Sequence, residues 1–383
     1  MQILKNNKNG LYKMSISENL GLLYYLIPFI FVAKNKISLS LSVIFGASTY
    51  KIKLNDVVVK FHSSKFDVML AFLAILTYAH SYSIKPDNKI EVIFGRRSKF
   101  IIPLHNMSFE DENLILTLFG GLRHGADFVT TDEDFKNRRD KTYKITEING
   151  KKIIETSKGI KFYMDSIHPG NTIVASYVQD IHLVNSNDDF HNKIVIDVGP
   201  ECGDTPLYYA NLGATVYAFE PIKAHFDAMV RNIALNPKLA DKIIPVNAAI
   251  GNDGMLTFYQ NTRADIAEMA SYVYNIHKKN MKTSQVKGYS FRSVLKEFNI
   301  KHVDLFKIDC KGCEFELTGD VLENVDRVKI SNTYDESPDR RQEKLIDMLE
   351  NAGFQCVAYR VNPNRDKHSI RLSAQIFGIK VRK

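Results

Sequence analysis

Cysteine is scarce, with four in 383 residues. No cleavable signal sequence is expected at the start of the chain, and the two features together argue against a disulfide scaffold and for a reducing, cytoplasmic setting. Long hydrophobic runs are also missing. The longest, Leu20 to Ala33 (LGLLYYLIPFIFVA), holds 14 residues and contains Pro28, whereas a membrane-spanning helix needs roughly 20 apolar residues. It is expected to be a buried helix or strand. Its flanking Lys13, Lys34 and Lys36 leave open a peripheral contact with an anionic membrane surface. No internal repeat or low-complexity segment occurs. A basic face interleaved with stacking aromatics is lacking too. The net charge of +8 is concentrated in residues 1–60, where eight Lys stand against Glu18 and Asp56, 8 − 2 = +6. No nucleic-acid partner is therefore expected.

What is present is globular composition, 45% hydrophobic and 25% charged, over a length that implies two domains. The first, residues 1–141, reads as α+β. Tyr50 to Phe61 alternates like a strand, Lys65 to Tyr82 is helical, and Ile90 to Pro103 reads as a hairpin. The charge cluster Asp127 to Lys141 (DFVTTDEDFKNRRDK) reads as the loop at the boundary. Tyr143 to Ile181 continues with strand and turn. From Lys193 the pattern alternates strand and helix, the mark of a parallel sheet covered on both faces. Strands are expected at Lys193 to Gly199, Thr215 to Glu220, Lys242 to Ala249, Val303 to Asp309, Arg327 to Thr333, Gln355 to Val361 and Leu372 to Val381. Pro338 and Gly353 bracket the helix before the sixth. The result is a Rossmann-like, seven-stranded α/β sheet with an antiparallel edge, over residues 142–383.

The densest signal is KIVIDVGPECGDTPLYY, Lys193 to Tyr209. A strand ends at Asp197, turns through Gly199, Pro200, Glu201 and Gly203, and enters a helix at Thr205. Backbone N–H groups at such a turn suit a nucleotide-like ligand. No third glycine is present, so the spacing is not the G-x-G-x-x-G of a pyrophosphate site, and the carboxylate beside the turn suits a cationic ligand better. Glu220, in TVYAFEP and 23 residues past Asp197, stands where a carboxylate accepts both ribose hydroxyls, with Pro221 ending its strand at the cleft. Asn247 and Ala248, in VNAAIGND, could flank a flat base. DLFKIDCKGCEFEL brings Lys307, Asp309, Lys311 and Glu314 to the same mouth, with Lys307 and Asp309 on one side of the strand.

Four blocks in order, VIDVGPECGDTPLYYA, VYAFEPIKAHFDAMVRNIALNP, IIPVNAAIGNDGMLTFY and YSFRSVLKEFNIKHVDLFKIDCKGCEFEL, resemble the FkbM-type methyltransferases over about residues 159–335. The resemblance implies the class I methyltransferase sheet and S-adenosylmethionine as cofactor, bound by Asp197, Gly199, Gly203 and Glu220 with their neighbours Pro200, Glu201, Thr205, Pro221, Asn247 and Ala248. It implies methyl transfer to a hydroxyl of a sugar, glycan or other small molecule. Asp309 is then the candidate to orient that hydroxyl or take its proton, and Lys307 the candidate to set the electrostatics. Residues 1–140 lie outside the resemblance.

The chain departs from the family pattern twice. Lys311 stands where K-x-D-x-E-G has an acidic residue, and SNTYDE (Ser331 to Glu336) lacks a histidine. Lys311 and Glu314 are the candidate acceptor-binding residues, and the positive charge of Lys311 favours an anionic acceptor. Cys202, Cys310 and Cys313 are expected to approach one another as small residues packing turns. No metal is expected, because a zinc site would need a fourth ligand. Two other readings stay open: an RNA methyltransferase, on the pI near 9.0, and a non-catalytic S-adenosylmethionine-binding protein.

Overall fold

The computed structural model describes residues 16–94, 98–136, 141–166, 173–178, 189–261, 281–310, 312–332, 342–360 and 374–381. The chain forms two compact units, one built mainly from residues up to Gly159 and one mainly from Asp180 onward. The boundary thus lies beyond the expected 141/142. The strands Thr142–Ile148 and Lys151–Glu155 belong to the first unit, paired antiparallel with Ile145 opposite Ile154.

In the first unit, helices Ile16–Leu26 and Lys36–Ile44 precede a hairpin of Thr49–Leu54 and Val57–His62. Helix Phe66–Tyr78 buries nine of its residues and is the unit's spine. It stops short of the expected Tyr82, which lies in an antiparallel sheet of Ser81–Ile84, Lys89–Phe94 and Ser98–Pro103. Helix Phe109–Arg123 begins at a capping box in which Ser108 and Asp111 satisfy each other's backbone N–H groups. The expected boundary loop instead holds strand Asp127–Val129, parallel to Thr142–Ile148, and helix Asp132–Lys136. Phe128 and Phe135 are buried, so two apolar anchors were enough to order a segment that reads as charge. The run at Leu20 to Ala33 is also corrected. Leu22, Leu26, Ile30 and Ala33 are buried, but the opposite face is exposed.

The second unit is a seven-stranded sheet of β1 (Ile194–Val198), β2 (Thr215–Phe219), β3 (Ile243–Val246), β4 (Leu305–Ile308), β5 (Arg327–Asn332), β6 (Phe354–Arg360) and β7 (Ala374–Lys380). Their spatial order is β3-β2-β1-β4-β5-β7-β6. β1 pairs parallel with both β2 and β4, and β7 is antiparallel to β5 and β6. Four helices matter here: α1 (Asp204–Asn211), α2 (Lys223–Ala234), α3 (Phe291–Glu297) and α4 (Gln342–Asn351). Every expected strand is present. β3 is shorter than expected, because Ala249 and Ile250 leave it to join a small sheet with Gly254–Asn261 and Met281–Tyr289. α4 ends before Gly353 at φ 89°, and Pro338 falls outside the described residues. The apolar strand interiors, with Phe291, Val294, Leu345 and Leu349 from the helices, form one core. That core fixes the carboxyl ends of β1, β2 and β4 side by side, where an open parallel sheet binds ligands.

Candidate functional site

β1 and β2 are central parallel strands, so their apolar runs bury from both faces and only their last residues can be polar. Asp197 and Glu220 occupy those ends, with the turn 199–203 between β1 and α1. Three residues of that turn, Gly199, Glu201 and Gly203, have positive φ, at 74°, 48° and 88°. The turn closes by the Gly203 N–H donating to the Pro200 carbonyl at 2.8 Å. Both glycines are also required by space. A Cβ at Gly199 would stand 2.2 Å from the Asp309 carbonyl oxygen, and one at Gly203 would stand 2.9 Å from Met229 Cγ.

Asp197 is fully buried and forms an ion pair with Lys307 at 2.9 Å, their side chains 0% and 5% exposed. Thr205 Oγ1 donates to its other oxygen at 2.5 Å. Lys307 Nζ also donates to the Gly199 carbonyl at 3.1 Å, so one ammonium ties β4 to the glycine turn. Burial alone would lower the Lys307 pKa. The carboxylates of Asp197, Asp309 and Asp204 outweigh it and raise it above the usual 10.5, which keeps the group charged and unfit to act as a base. Asp309 follows β4 directly and is half-buried. Its N–H donates to the Val198 carbonyl at 2.8 Å, and its own carbonyl lies against Gly199. It sits just past the strand end, close enough for its carboxylate to act on both Lys307 and Asp197.

Glu220 is 3% exposed and accepts from two backbone donors, Glu201 N–H at 3.0 Å and Ile222 N–H at 2.8 Å. A carboxylate has about four acceptor positions, so two remain. His225, buried on α2, brings Nδ1 within 3.6 Å of Glu220. The sequence reasoning missed it; its one signal was a histidine in the first turn of the helix that follows the ribose-type carboxylate. Asn247 is exposed and staples the loop, donating to the carbonyls of Glu220 at 2.8 Å and Pro221 at 3.2 Å. Asn247, Pro221, Ile222, Val286 and Lys287 help to line a cavity of about 500 Å³. Ala248 is fully buried in the core.

Glu314 is fully buried, and its carboxylate accepts from the Gly312 N–H at 2.7 Å, turned into the loop instead of toward the cleft. Lys311 lies outside the described residues. Cys310 and Cys313 are joined in a disulfide, a correction to the expectation of separate turn-packing thiols. The turn at Gly312, φ 136°, brings their Cα atoms to 5.6 Å, inside the usual disulfide range. Cys310, Cys313 and Glu314 are close enough to share an ion, but the sulfurs are bonded to each other. Cys202 is not part of this pair. Burial pushes its thiol pKa well up, so it packs as a small apolar residue.

The strand order, the reversed seventh strand and the carboxylates ending β1 and β2 define a class I methyltransferase sheet of Rossmann-like kind. Residues 197–356 match the methyltransferase FkbM domain. Over that region the chain is similar to the FkbM-type methyltransferases, whose methyl donor is S-adenosylmethionine. Among solved structures, the FkbM methyltransferase of Methylobacillus flagellatus aligns at 9% identity over 72% of this chain and 63% of its own, with a TM-score of 0.33. The precorrin-6y C5,15-methyltransferase of Geobacter metallireducens aligns at 14% over 53% and 88%, TM-score 0.33. An rRNA methylase of Streptococcus thermophilus aligns at 14% over 51% and 89%, TM-score 0.32. No curated protein sequence matches the chain.

The residues fit that donor. Two glycines leave room for close approach of a ligand to the turn, Glu220 keeps acceptor capacity for hydroxyls, and Glu201, Asp204, Glu220 and Asp309 set carboxylates around the Asp197–Lys307 pair. A cation with a ribose meets such a cradle better than a phosphate does.

Proposed function

We propose that the protein O-methylates a hydroxyl of a sugar, glycan or other small molecule. Gly199, Gly203 and Glu220 hold the donor in this reading, with Asp197 fixing the turn from beneath through Lys307 and Thr205, Pro200 and Glu201 shaping it, and Pro221 and Asn247 bordering the base. Bound there, S-adenosylmethionine supplies an already activated methyl group. What remains for the protein is to align the acceptor oxygen and to receive its proton. Asp309 takes that role, and Lys307, the buried counterion of Asp197, acts through the turn.

The observation that carries the reading is the clamp on Asp309. Its backbone is held from both sides, by the Val198 carbonyl and by contact with Gly199, while its side chain is half-buried beside the turn. A carboxylate so placed suits a hydroxyl, whose proton must be lost as the ether forms. The test is labelled methyl transfer into a cell extract with mass identification of the product, repeated with Asp309→Asn. A methyl ether is expected, with kcat lowered about 100-fold or more in the variant and donor affinity by calorimetry nearly unchanged. Label recovered in RNA, or full activity of Asp309→Asn, would defeat the proposal.

A further inference from the structure

We infer that residues 20–45 of the N-terminal unit form a docking surface for a bilayer containing anionic phospholipid. Helix Ile16–Leu26 buries Leu22 and Leu26 and leaves Leu20, Tyr24 and Ile27 uncovered, four and then three residues apart. Helix Lys36–Ile44 packs against it, buries Leu39 and Val43, and leaves Ile37, Leu41 and Phe45 uncovered at every fourth position. Exposure is large where it matters: Tyr24 73%, Phe31 70%, Ile37 74% and Phe45 71%. Solvated helices carry polar residues on such faces, and a concentration of large apolar side chains marks a contact surface.

Charge selects the partner. No Asp or Glu occurs between Glu18 and Asp56, while Lys34, Lys36, Lys51 and Lys53 fall in that stretch and all are exposed. The fold gathers these lysines. Lys34 N–H donates to the Lys53 carbonyl at 2.8 Å, and Asn35 Nδ2 donates to the Lys51 carbonyl at 2.9 Å, so the strand Thr49–Leu54 lies along the segment joining the two helices. Lys36 Nζ lies 5.2 Å from the Phe31 ring centroid, an ammonium at the level of an exposed aromatic. Aromatic and aliphatic side chains rimmed by lysine suit the headgroup boundary of an anionic bilayer. A second copy of the chain would set lysine against lysine, and protein interfaces are depleted in lysine. Among the described residues no helix is long and apolar enough to cross a membrane, so the contact is a peripheral one.

Two variants of the full chain test this in vesicle sedimentation: Tyr24→Ser/Phe31→Ser/Ile37→Ser, and Lys34→Gln/Lys36→Gln/Lys53→Gln. The parent is expected to bind phosphatidylcholine vesicles with about 30% phosphatidylserine at least tenfold more tightly than pure phosphatidylcholine, with about fivefold lost per lysine removed. The apolar variant is expected to lose tenfold or more on the anionic vesicles. Equal binding to both vesicle types, or unchanged binding by the apolar variant, would overturn the inference. So would a dimer in equilibrium ultracentrifugation that the apolar variant dissolves while the parent ignores vesicles.

Discussion

Replacing Lys307 with methionine separates a structural from a chemical role for the residue. The substitution keeps the length of the chain but removes an ammonium 2.9 Å from a fully buried carboxylate. Asp197 then retains Thr205 as its side-chain donor, and the Gly199 carbonyl loses its partner at 3.1 Å. An uncompensated buried charge costs about 3–5 kcal/mol. At about 2–4 °C per kcal/mol for a unit of this size, the midpoint should fall by about 6–20 °C in calorimetry. The pH dependence has a definite sign. Because the folded-state pKa of Lys307 is raised above 10.5, its contribution is complete below 10.5 and fades only as pH rises through the higher folded value. The lysine's own part of the gap between parent and variant should therefore close only in strong alkali, while the gap narrows as pH falls and Asp197, whose pKa burial raises, takes up a proton in the variant. Asp197→Asn/Lys307→Met, which removes both charges, should regain most of the loss, with a coupling of about 2 kcal/mol or more. An unchanged midpoint for Lys307→Met together with lost methyl transfer would refute the counterion account and make Lys307 a catalytic group.

Two further perturbations follow from the same structure. Gly199→Ala would put a Cβ 2.2 Å from the Asp309 carbonyl oxygen at φ 74°; ordinary contact begins near 3.4 Å, so that carbonyl must retreat by about 1.2 Å, 3.4 − 2.2, and kcat/KM should fall about 100-fold. Retention of more than half the parent's kcat/KM would show that the two strand ends are not held as tightly as described. In the first unit, burial alone would raise the Asp111 pKa, but Ser108 and Lys152 outweigh it and lower it below 3.8. Its contribution is present above 3.8 and is lost as pH falls through the lower folded value, so a thermal scan should show the parent losing stability in that range while Asp111→Asn stays flatter.

Much of the second unit was legible in sequence because its strands are short apolar runs that end in distinctive residues. Asp197, Gly199 and Glu220 fell together at the turn after β1, and Arg327–Asn332, Phe354–Arg360 and Ala374–Lys380 fell where strands were expected. The small sheet of Gly254–Asn261 and Met281–Tyr289 escaped notice, since its pairing spans residues that carry no alternation strong enough to show it. The Asp127 to Lys141 segment misled because charge density hid two buried phenylalanines. Glu314 kept its position but is turned into its own loop, and Asn247 staples the loop beside the cavity it lines.

The sequence by itself determined the glycine turn after β1: a strand-ending aspartate, two glycines at positive-φ positions and a carboxylate one strand on, each readable because local backbone conformation demands a particular residue. It did not determine which polar groups would meet. That Lys307 neutralises Asp197 and also grips Gly199, and that Asp309 is clamped against that glycine, both depend on β1 and β4 lying side by side. The apolar run near the N-terminus shows the same division. Its hydrophobicity was plain in the sequence, but only packing decided which face the core would take and which face was left uncovered beside the lysines.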